Sequence, residues 1–422
     1  MNWLVSLLLV GVIAARAAPP PKRFVALFNG RDLTGWRGGD TFDPRELNAM
    51  SEPERKAKIA TWTATLTARN EKTGSQHWRV ENEELVNDGY GAFATTEKDY
   101  GDIDLILDYK TVPLADSGVY LRGVPQVQIW DHTKADPTGM HWSRGSGGLW
   151  NNKDGASGKE PLVMADKPFG EWNHLRVLMV GARVSVWLNE KLVVDHAILE
   201  NYYDRKLPPA QQRPVLARGP IQLQTHGEEI RWRNIFLREI GSEEACQVLA
   251  AHGGTGFEKP FNGTSLAGWA GSRDAAAVRN GAIVLQAGKA GTVYWDKALT
   301  DFQARVEYRL SAGGRSGLAL RYPGKGEGVE IPLATETGDT GPGLARAARG
   351  YQHPVGDWNF EEVTVKGGTV RVERNGTVVL ETELNAAASS SVPSPGLLPT
   401  RYFGLAGHAG SAEFRRIEIR KL

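Results

Sequence analysis

Short runs of alternating apolar and polar residues recur along the chain and predict the strands of an all-β protein. Three such runs follow one another at residues 175–180, 183–188 and 191–195, and two turn residues separate each from the next. A later break reads Asn375-Gly376, a pair that favours the type I′ turn of a β-hairpin. Many short strands joined by Gly-rich turns indicate sandwiches of two antiparallel sheets.

The same series of sequence segments occurs twice. The segment FNGRDLTGW at 28–36 is echoed by FNGTSLAGW at 261–269. Further segments match in the same order: 100–110 with 300–310, 117–122 with 316–321, 170–173 with 356–359, 223–227 with 405–409, and 231–235 with 414–417. A repeat of this extent predicts two tandem copies of one fold, at 24–241 and 257–422, joined by a linker at 242–256.

The first copy contains two insertions that the second copy lacks. Within residues 42–72, Asp43 and Ser51 each stand one or two positions before a proline, as at the start of a helix. This predicts a helical pair that covers one mouth of the sandwich. The second insertion, residues 132–167, is a long loop rich in His, Trp, Arg and Asn. Such loops on a β scaffold are more often functional than idle.

Residues 1–17 have the pattern of a secretory signal peptide, because an apolar run at 4–13 is followed by Ala15-Arg16-Ala17. We expect cleavage and a secreted or periplasmic protein without a membrane span, since the run is short for a bilayer. Cys246 is the only cysteine, which excludes an intramolecular disulfide. The net charge of +1 gives no electrostatic argument for nucleic acid or an anionic membrane as a partner.

The segment 116–131 is where we expect the chemistry. It reads as two adjacent strands on either side of a Gly-Val-Pro break. Side chains two apart share a face of a strand, so Gln126, Gln128 and Trp130 lie on one face and Asp131 on the other. A polar, aromatic row predicts a surface that holds a polar ligand. A solvent-facing strand of a half-buried sheet is the alternative.

His226 is the best candidate for moving a proton, because imidazole titrates near neutral pH. It stands in the segment 224–227, just after a predicted strand, and a turn histidine bonded to backbone is the alternative. A divalent-cation site formed by His132, His141, Asp131 and His226 is a further hypothesis. No tight ligand spacing supports such a site.

Arg122 either pairs with a carboxylate in the fold or holds negative charge that develops on a substrate oxygen. The sequence shows no pair of carboxylates of the kind that glycanases use and no familiar phosphate-binding motif. The catalytic candidates are therefore His226, Arg122 and Asp131. The residues expected to bind substrate are Gln126, Gln128, Trp130, Trp150, Asn151, Asn152 and Gln224.

The second copy keeps some of these residues. His408 and Arg321 are present, and Glu330 falls near the position of Gln128. The long polar loop and the row of glutamines are missing. We interpret this copy as the weaker one, with a binding or structural part.

Together these motifs resemble the 3-keto-disaccharide hydrolase domain family, which was first catalogued as a domain of unknown function. The resemblance rests on residues 27–36, 116–123, 126–131, 171–173 and 219–227. It covers 24–241 closely and 257–422 more loosely. Membership implies two tandem concanavalin A-like jelly-roll sandwiches, the first with a helical insertion.

The resemblance also implies a small carbohydrate substrate, a glycoside whose C3 hydroxyl has been oxidised to a ketone. The ketone acidifies the C2 hydrogen, so a base can remove it, the enolate can expel the C1 aglycone, and water can add back. This implies His226 as base or acid, Arg122 or a metal as enolate stabiliser, and Gln126, Gln128 and Asp131 as groups that orient the sugar. Many members carry Glu where Gln126 stands, which shifts the expected base to His226. The alternative function is non-catalytic carbohydrate binding.

Overall fold

The computed structural model describes residues 18–133, 142–326, 328–334, 349–383 and 401–422, so the expected signal peptide lies outside the described residues. The strands of the first domain are β1 (Val25–Ala26), β2 (Trp36–Gly39), β3 (Trp78–Glu81), β4 (Glu84–Asn87), β5 (Phe93–Thr96), β6 (Ile103–Thr111), β7 (Asp116–Leu121), β8 (Val124–Trp130), β9 (Asn173–Val180), β10 (Arg183–Leu188), β11 (Lys191–Ile198), β12 (Gln222–Leu223) and β13 (Ile230–Glu239). The strands of the second domain are β14 (Trp269–Gly271), β15 (Ala276–Arg279), β16 (Ala282–Leu285), β17 (Gly291–Trp295), β18 (Phe302–Leu310), β19 (Arg315–Tyr322), β20 (Val329–Ala334), β21 (Asn359–Lys366), β22 (Thr369–Arg374), β23 (Thr377–Glu383), β24 (Tyr402–Ala409) and β25 (Ala412–Lys421). The helices are α1 (Pro44–Ala49), α2 (Glu52–Leu66) and α3 (Ser242–Ala250). In the part of the chain described, no helix is long and apolar enough to cross a membrane.

The two domains are antiparallel sandwiches with the same strand order. In the first, a sheet ordered β11-β10-β9-β6-β13-β4-β3, with β1 also on β13, faces a sheet ordered β2-β5-β12-β7-β8. In the second, the orders are β23-β22-β21-β18-β25-β16-β15 and β14-β17-β24-β19-β20. Apart from β1, each of these strands in one domain thus has a counterpart in the other. This confirms the tandem repeat and the predicted all-β, concanavalin A-like jelly-roll fold.

The apolar side chains of the two sheets meet between them. On β8, Val127 and Ile129 belong to this core and are at most 1% exposed. Leu105 and Leu107 of β6 join the same core from the larger sheet. Because side chains alternate along a strand, the outer face of the five-stranded sheet is left to the residues between them. The alternation predicted for β8 is confirmed.

The turn between β7 and β8 comes earlier than the expected Gly-Val-Pro break. Arg122 and Gly123 have φ values of 56° and 74°, as in a type I′ hairpin turn, and Val124 already belongs to β8. The expected Gly-Val-Pro break was right for Gly123, which lies in the turn, and wrong for Val124 and Pro125, which belong to β8, where a bulge accommodates the proline. The register shift between Val119 and Leu121 leaves Pro125 without a ladder partner.

Helices α1 and α2 confirm the predicted helical insertion. The Asp43 side chain caps α1 by accepting a hydrogen bond from Arg45 N at 2.9 Å. At the start of α2, the Glu54 carboxylate accepts from Ser51 N at 3.1 Å. Helix α2 packs against β2, at the edge of the five-stranded sheet. The insertion therefore adds a helical layer at that edge.

The segment expected to be a linker contains α3, which packs between the domains. Cys246 of α3 shares a buried cluster with Val180 from the first domain and Phe360 from the second. Beside it, the Arg183 guanidinium donates to both carboxylate oxygens of Glu373, at 2.7 and 2.6 Å. The Glu373 side chain is only 7% exposed. This buried, bidentate ion pair and the α3 cluster hold the two domains together.

Candidate functional site

The candidate site lies on the outer face of the five-stranded sheet of the first domain, where the register brings together distant parts of the chain. Across neighbouring strands, Thr95 is opposite Gln222, and Gln222 is opposite Tyr120. Two residues back along β7, Gly118 is opposite Gln128. All of these polar side chains are buried. A buried but polar face is suited to hydrogen-bonding a hydroxylated ligand.

A chain of hydrogen bonds runs along this face and ends at His226. Gln126 Nε2 donates to Gln128 Oε1, and Gln128 Nε2 donates to Asp116 Oδ1 at 2.8 Å. The other carboxylate oxygen, Asp116 Oδ2, lies 2.9 Å from His226 Nδ1. The structure therefore brings together the glutamine row and His226, which the sequence analysis selected separately.

Asp116 sets the electrostatics of His226. Its hydrogen bond raises the pKa of the imidazole and outweighs partial burial, which would lower it. An ionised carboxylate can only accept, so Nδ1 of the neutral imidazole carries the hydrogen and Nε2 keeps a lone pair. The His226 side chain is 66% exposed, which makes Nε2 accessible to a ligand. The pair can therefore act as a general base whose imidazolium form is stabilised by the carboxylate.

Two buried amide oxygens on this face have no hydrogen-bond partner among the described residues: Gln126 Oε1 and Gln224 Oε1. Gly118 makes room for the first, because a Cβ at Gly118 would come within 2.8 Å of Gln126 Oε1. A buried acceptor without a partner costs about 1–3 kcal/mol. Both atoms are buried, so a ligand hydroxyl or a water molecule reaches either oxygen only when the side chain moves.

The inserted loop closes the face along the edge strand β8. Gln128 N donates to Gly148 O at 2.9 Å, and Gly147 N donates to Gln128 O at 2.8 Å. This pairing brings Trp150 edge to face against Trp130, with ring centroids 4.8 Å apart. Trp130 is 7% exposed and braces the loop, whereas Trp150 is half-buried. Of the two tryptophans expected to bind substrate, Trp130 and Trp150, only Trp150 has exposed surface to offer a sugar.

Helix α1 borders the other end of the face. The Arg45 guanidinium donates to Asp204 Oδ1 and Oδ2, at 2.6 and 2.8 Å, and to Asp43 Oδ2 at 2.8 Å. Tyr203 Oη donates to Gly123 O at 3.1 Å. These contacts join α1 and the 202–204 segment to the β7–β8 turn. The helical insertion thus has a part in shaping the site as well as covering the sheet edge.

Tyr120 and Asp116 are site residues that the sequence analysis missed. The Tyr120 hydroxyl lies 2.8 Å from Thr41 Oγ1, and its ring is 5.3 Å from that of Phe93. Burial raises the pKa of Tyr120 well above its ordinary value, so the phenol keeps its proton at neutral pH. The signal was present in the sequence, because both residues stand two positions from Gly118 and share its face.

Arg122 does not lie beside His226. Of its two expected roles, the structure shows the pairing with a carboxylate of the fold and not a contact with charge on a substrate. The side chain is 1% exposed and donates from Nη2 to Asp102 Oδ1 at 3.0 Å. The second domain repeats this contact with Arg321 and Asp301, at 3.3 Å. A buried ion pair that recurs at the same place in both copies serves the fold. The Arg122 side chain extends from the β7–β8 turn away from the polar face and toward Asp102.

Asp131 also has a structural place, which corrects its expected role in orienting a sugar. Its Oδ2 accepts from Leu114 N at 2.8 Å and its Oδ1 accepts from Thr133 N at 2.7 Å. Burial would raise the pKa of Asp131, but these hydrogen bonds and that from the Thr133 hydroxyl lower it. Both carboxylate oxygens thus accept hydrogen bonds from the backbone, one from the loop before β7 and one from the loop after β8.

The two loop asparagines are not brought to His226 by any described contact. Asn152 Nδ2 donates to Ile198 O at 2.7 Å, and Asn152 Oδ1 accepts from Glu200 N at 2.9 Å. This ties the inserted loop to the end of β11. Asn151 is half-buried beside it.

The binding of a divalent cation at this site stays a prediction. Among the described residues, no group of three or more His, Cys, Asp or Glu side chains converges as a metal site would. His132 stacks on Phe169, with ring centroids 5.7 Å apart. His141, the other expected ligand, lies outside the described residues.

The fold and the site define a jelly-roll sandwich with a polar outer face and an imidazole–carboxylate pair. The sequence matches the family described as the 3-keto-alpha-glucoside-1,2-lyase-like domain over residues 23–238 and again over 256–420. The chain therefore belongs to this family and contains two tandem copies of its domain. Membership supports a carbohydrate-related function. No curated protein matches the sequence.

Solved structures with a similar fold include two candidate glycosyl hydrolases from Parabacteroides distasonis ATCC 8503. One is 19% identical over 40% of this chain and 94% of its own length, with a TM-score of 0.33. The other is 22% identical over 52% of this chain and 85% of its own, with a TM-score of 0.35. The carbohydrate binding module CBM66 from Bacillus subtilis is 13% identical over 36% and 96%, with a TM-score of 0.27. These are distant likenesses of fold alone.

Proposed function

We propose that the first domain cleaves glycosides whose C3 hydroxyl has been oxidised to a ketone, with His226 as the general base. The observation that carries this proposal is the His226–Asp116 pair on a buried polar face, in a chain of a 3-keto-glucoside lyase-like family. Such a reaction needs a base and hydrogen-bond donors, and it does not need two carboxylates on either side of the scissile bond.

The reaction begins when Nε2 of His226 takes the C2 proton of the keto sugar. The electrons of the C2–H bond form a C2–C3 double bond, which places the negative charge on the C3 oxygen. When the ketone re-forms, those electrons form a C1–C2 double bond and the C1–oxygen bond to the aglycone breaks. The aglycone oxygen takes a proton from the imidazolium of His226. Water then adds across C1 and C2, so the net products are the 3-keto sugar and the free alcohol.

Three other side chains have parts in this scheme. Asp116 holds the imidazole in the right tautomer and stabilises its protonated form. The Tyr120 hydroxyl is the proposed donor to the enolate oxygen, in place of the expected Arg122, because it keeps its proton and shares the face. The amide oxygens of Gln126 and Gln224, which have no partner among the described residues, are the proposed acceptors for sugar hydroxyls once these side chains turn toward the ligand.

Replacement of His226 tests the proposal. The substrate is methyl 3-keto-α-D-glucopyranoside, and released methanol is followed by proton NMR beside the unoxidised parent glycoside. Wild type should cleave only the keto sugar, and His226→Ala should lose more than about a hundredfold in rate. The matched control is His174→Ala, since His174 pairs with Asp108 at 2.9 Å on the opposite sheet.

The outcomes separate the enzyme from a binding module. Unchanged turnover in a folded His226→Ala protein would sink the assignment of the base. Line broadening of the sugars without release of methanol by wild type would instead favour non-catalytic carbohydrate binding.

A further inference from the structure

The loop between β4 and β5 runs directly beside His226. Two hydrogen bonds join it to the segment that carries the imidazole: Gly227 N donates to Gly89 O at 3.2 Å, and Thr225 Oγ1 donates to Gly91 O at 2.8 Å. The two contacts bracket Tyr90, which therefore lies level with His226 at the end of the sheet. An aromatic residue that the sequence analysis did not select thus stands at the rim of the site.

Tyr90 is presented by a fixed backbone. Asp88 Oδ1 accepts a hydrogen bond from Tyr90 N at 3.1 Å and lies 3.0 Å from His77 Nδ1. The rings of Tyr90 and His77 are tilted against each other, with centroids 6.2 Å apart. Tyr90 is nevertheless 55% exposed. An exposed aromatic side chain on an ordered loop can offer a ligand a large apolar surface.

Leu114 lies on the other side of His226, in an unfavourable backbone conformation. A Cβ added at Gly227 would come within 4.0 Å of Leu114 O. The φ of Leu114 is 68°, in the left-handed region that disfavours residues with a Cβ. The second domain has Gly313 at the corresponding place, with a φ of 65°. Leu114 is 56% exposed, so burial of its side chain does not offset this strain.

The order of the strands explains how the two apolar residues come to flank the imidazole. Tyr90 precedes β5, His226 follows β12 and Leu114 precedes β7, and these strands are neighbours in the order β5-β12-β7. Two strand spacings, about 10 Å, separate the outer two strands, which leaves room for one ring between the side chains. A strained backbone that holds an apolar side chain in water indicates a function for that side chain.

The chemistry of His226 decides which part of a substrate lies at this rim. In the proposed reaction its Nε2 takes the C2 proton and returns a proton to the aglycone oxygen. The side chains expected to hold the sugar, Gln126 and Gln128, lie on β8, beyond β7 and away from Tyr90. The aglycone therefore extends toward the end of the sheet, where Tyr90 and Leu114 offer apolar surface.

We propose that Tyr90 and Leu114 select glycosides whose aglycone carries a flat apolar ring, which packs between the two side chains. This specificity rests on the proposed function, because it takes the position of the aglycone from the reaction at His226. A second sugar fits the rim less well, since its hydroxyl groups need polar partners where the rim has a leucine and a tyrosine.

The test compares benzyl 3-keto-α-D-glucopyranoside with the methyl glycoside. Their leaving alcohols have similar acidity, so a difference in KM reports the contacts of the ring. Steady-state kinetics are measured on wild type, Tyr90→Ala, Tyr90→Phe and Leu114→Gly, the last of which introduces the residue of the second domain. Val355→Ala is the matched control, since Val355 is an apolar residue of the second domain that is 56% exposed.

We expect the KM of wild type for the benzyl glycoside to lie about tenfold below that for the methyl glycoside, as one aromatic contact would give. Tyr90→Ala and Leu114→Gly should remove most of this preference and leave kcat and the KM for the methyl glycoside near wild type. Tyr90→Phe and Val355→Ala should keep the preference. Leu114→Gly should not lower the melting temperature, because glycine adopts this φ freely.

Equal KM values for the two glycosides in wild type, or a preference that survives both Tyr90→Ala and Leu114→Gly, would overturn the proposal. So would a lower KM for maltose oxidised at C3 of its non-reducing unit, since the rim would then bind a second sugar. If wild type cleaves none of these glycosides, the proposed function fails. Saturation-transfer NMR with benzyl α-D-glucopyranoside then decides: saturation of the ring protons that falls with Tyr90→Ala supports the rim, and equal saturation overturns it.

Discussion

Asp116 and His226 are 110 residues apart in the sequence, yet their side chains meet at 2.9 Å on one face of one sheet. The contact depends on the pairing of β12 with β7, which places the segment after β12 beside the start of β7. Gln126 and Gln128 then support the carboxylate from the next strand. The site is therefore a property of three adjacent strands, and it is rigid because those strands form the sheet.

The rate of cleavage should rise with pH, because the neutral form of His226 is the base. Asp116 raises the pKa of His226, so the rise in kcat/KM should be centred above the ordinary pKa of histidine. Asp116→Asn removes the charge that favours the imidazolium, and the rise should move to lower pH. A pH profile measured on both proteins checks this, with Asp108→Asn on the opposite sheet as control. Identical profiles in wild type and Asp116→Asn would refute the role of the pair.

Removal of the Tyr120 hydroxyl should slow the chemical step. If it donates to the enolate oxygen, Tyr120→Phe should lower kcat by about a hundredfold, as for other donors of this kind. Thr41→Val removes the neighbouring hydroxyl but leaves the phenol, so its effect should be much smaller. Steady-state kinetics on the two variants makes the comparison. Equal effects would assign Tyr120 to packing.

Arg122 should matter for stability rather than for chemistry. Arg122→Met leaves Asp102 without its buried partner and should cost about 3–5 kcal/mol of unfolding free energy in urea. Arg321→Met, the matched change in the second domain, should cost less, since its contact is longer and Asp301 is 31% exposed. The rate per folded Arg122→Met molecule should stay near that of wild type. An Arg122→Met protein that is stable but inactive would contradict this prediction and show that Arg122 takes part in the reaction.

Gly38 should be essential for seating the helical insertion. A Cβ at this position would collide with the backbone of Trp62 in α2, because the helix lies directly on β2. Gly38→Ala should therefore cost about 1–3 kcal/mol and lower the melting temperature. Gly350→Ala is the control, since its Cβ would meet nothing within 4 Å. Equal melting temperatures for the two variants would show that α2 can move away freely.

Much of the fold could be predicted because local patterns determine it. The alternation of apolar and polar residues predicted the strands, and the internal repeat predicted two domains. Asp43 and Ser51 correctly indicated where the two helices begin. The glutamine row was also found this way, since its face follows from spacing alone. The break between β7 and β8 was expected to extend to Pro125, which instead lies within β8. A bulge that tolerates proline leaves no local signal in the sequence.

The site was only partly predictable because partners across strands depend on register. Arg122 and Asp131 were chosen for their residue type, yet their nearest neighbours, Asp102 and the backbone of Leu114, make them structural. The same reason hid Asp116, whose importance comes from a histidine 110 residues away. Glu330, which the sequence placed near the position of Gln128, is the counterpart of Gln126, because Gly317 pairs with Pro332 as Gly118 pairs with Gln128.

The most direct test of the central claim is the fate of the C2 hydrogen. Wild type, His226→Ala and a sample without protein are incubated with methyl 3-keto-α-D-glucopyranoside in D2O, and the recovered sugars are read by NMR. Abstraction by His226 predicts that the 3-keto sugar formed by wild type carries deuterium at C2, beyond the exchange seen without protein. Cleavage that leaves the original hydrogen at C2 would contradict the account, because it would show that the C1 bond breaks without removal of the C2 proton.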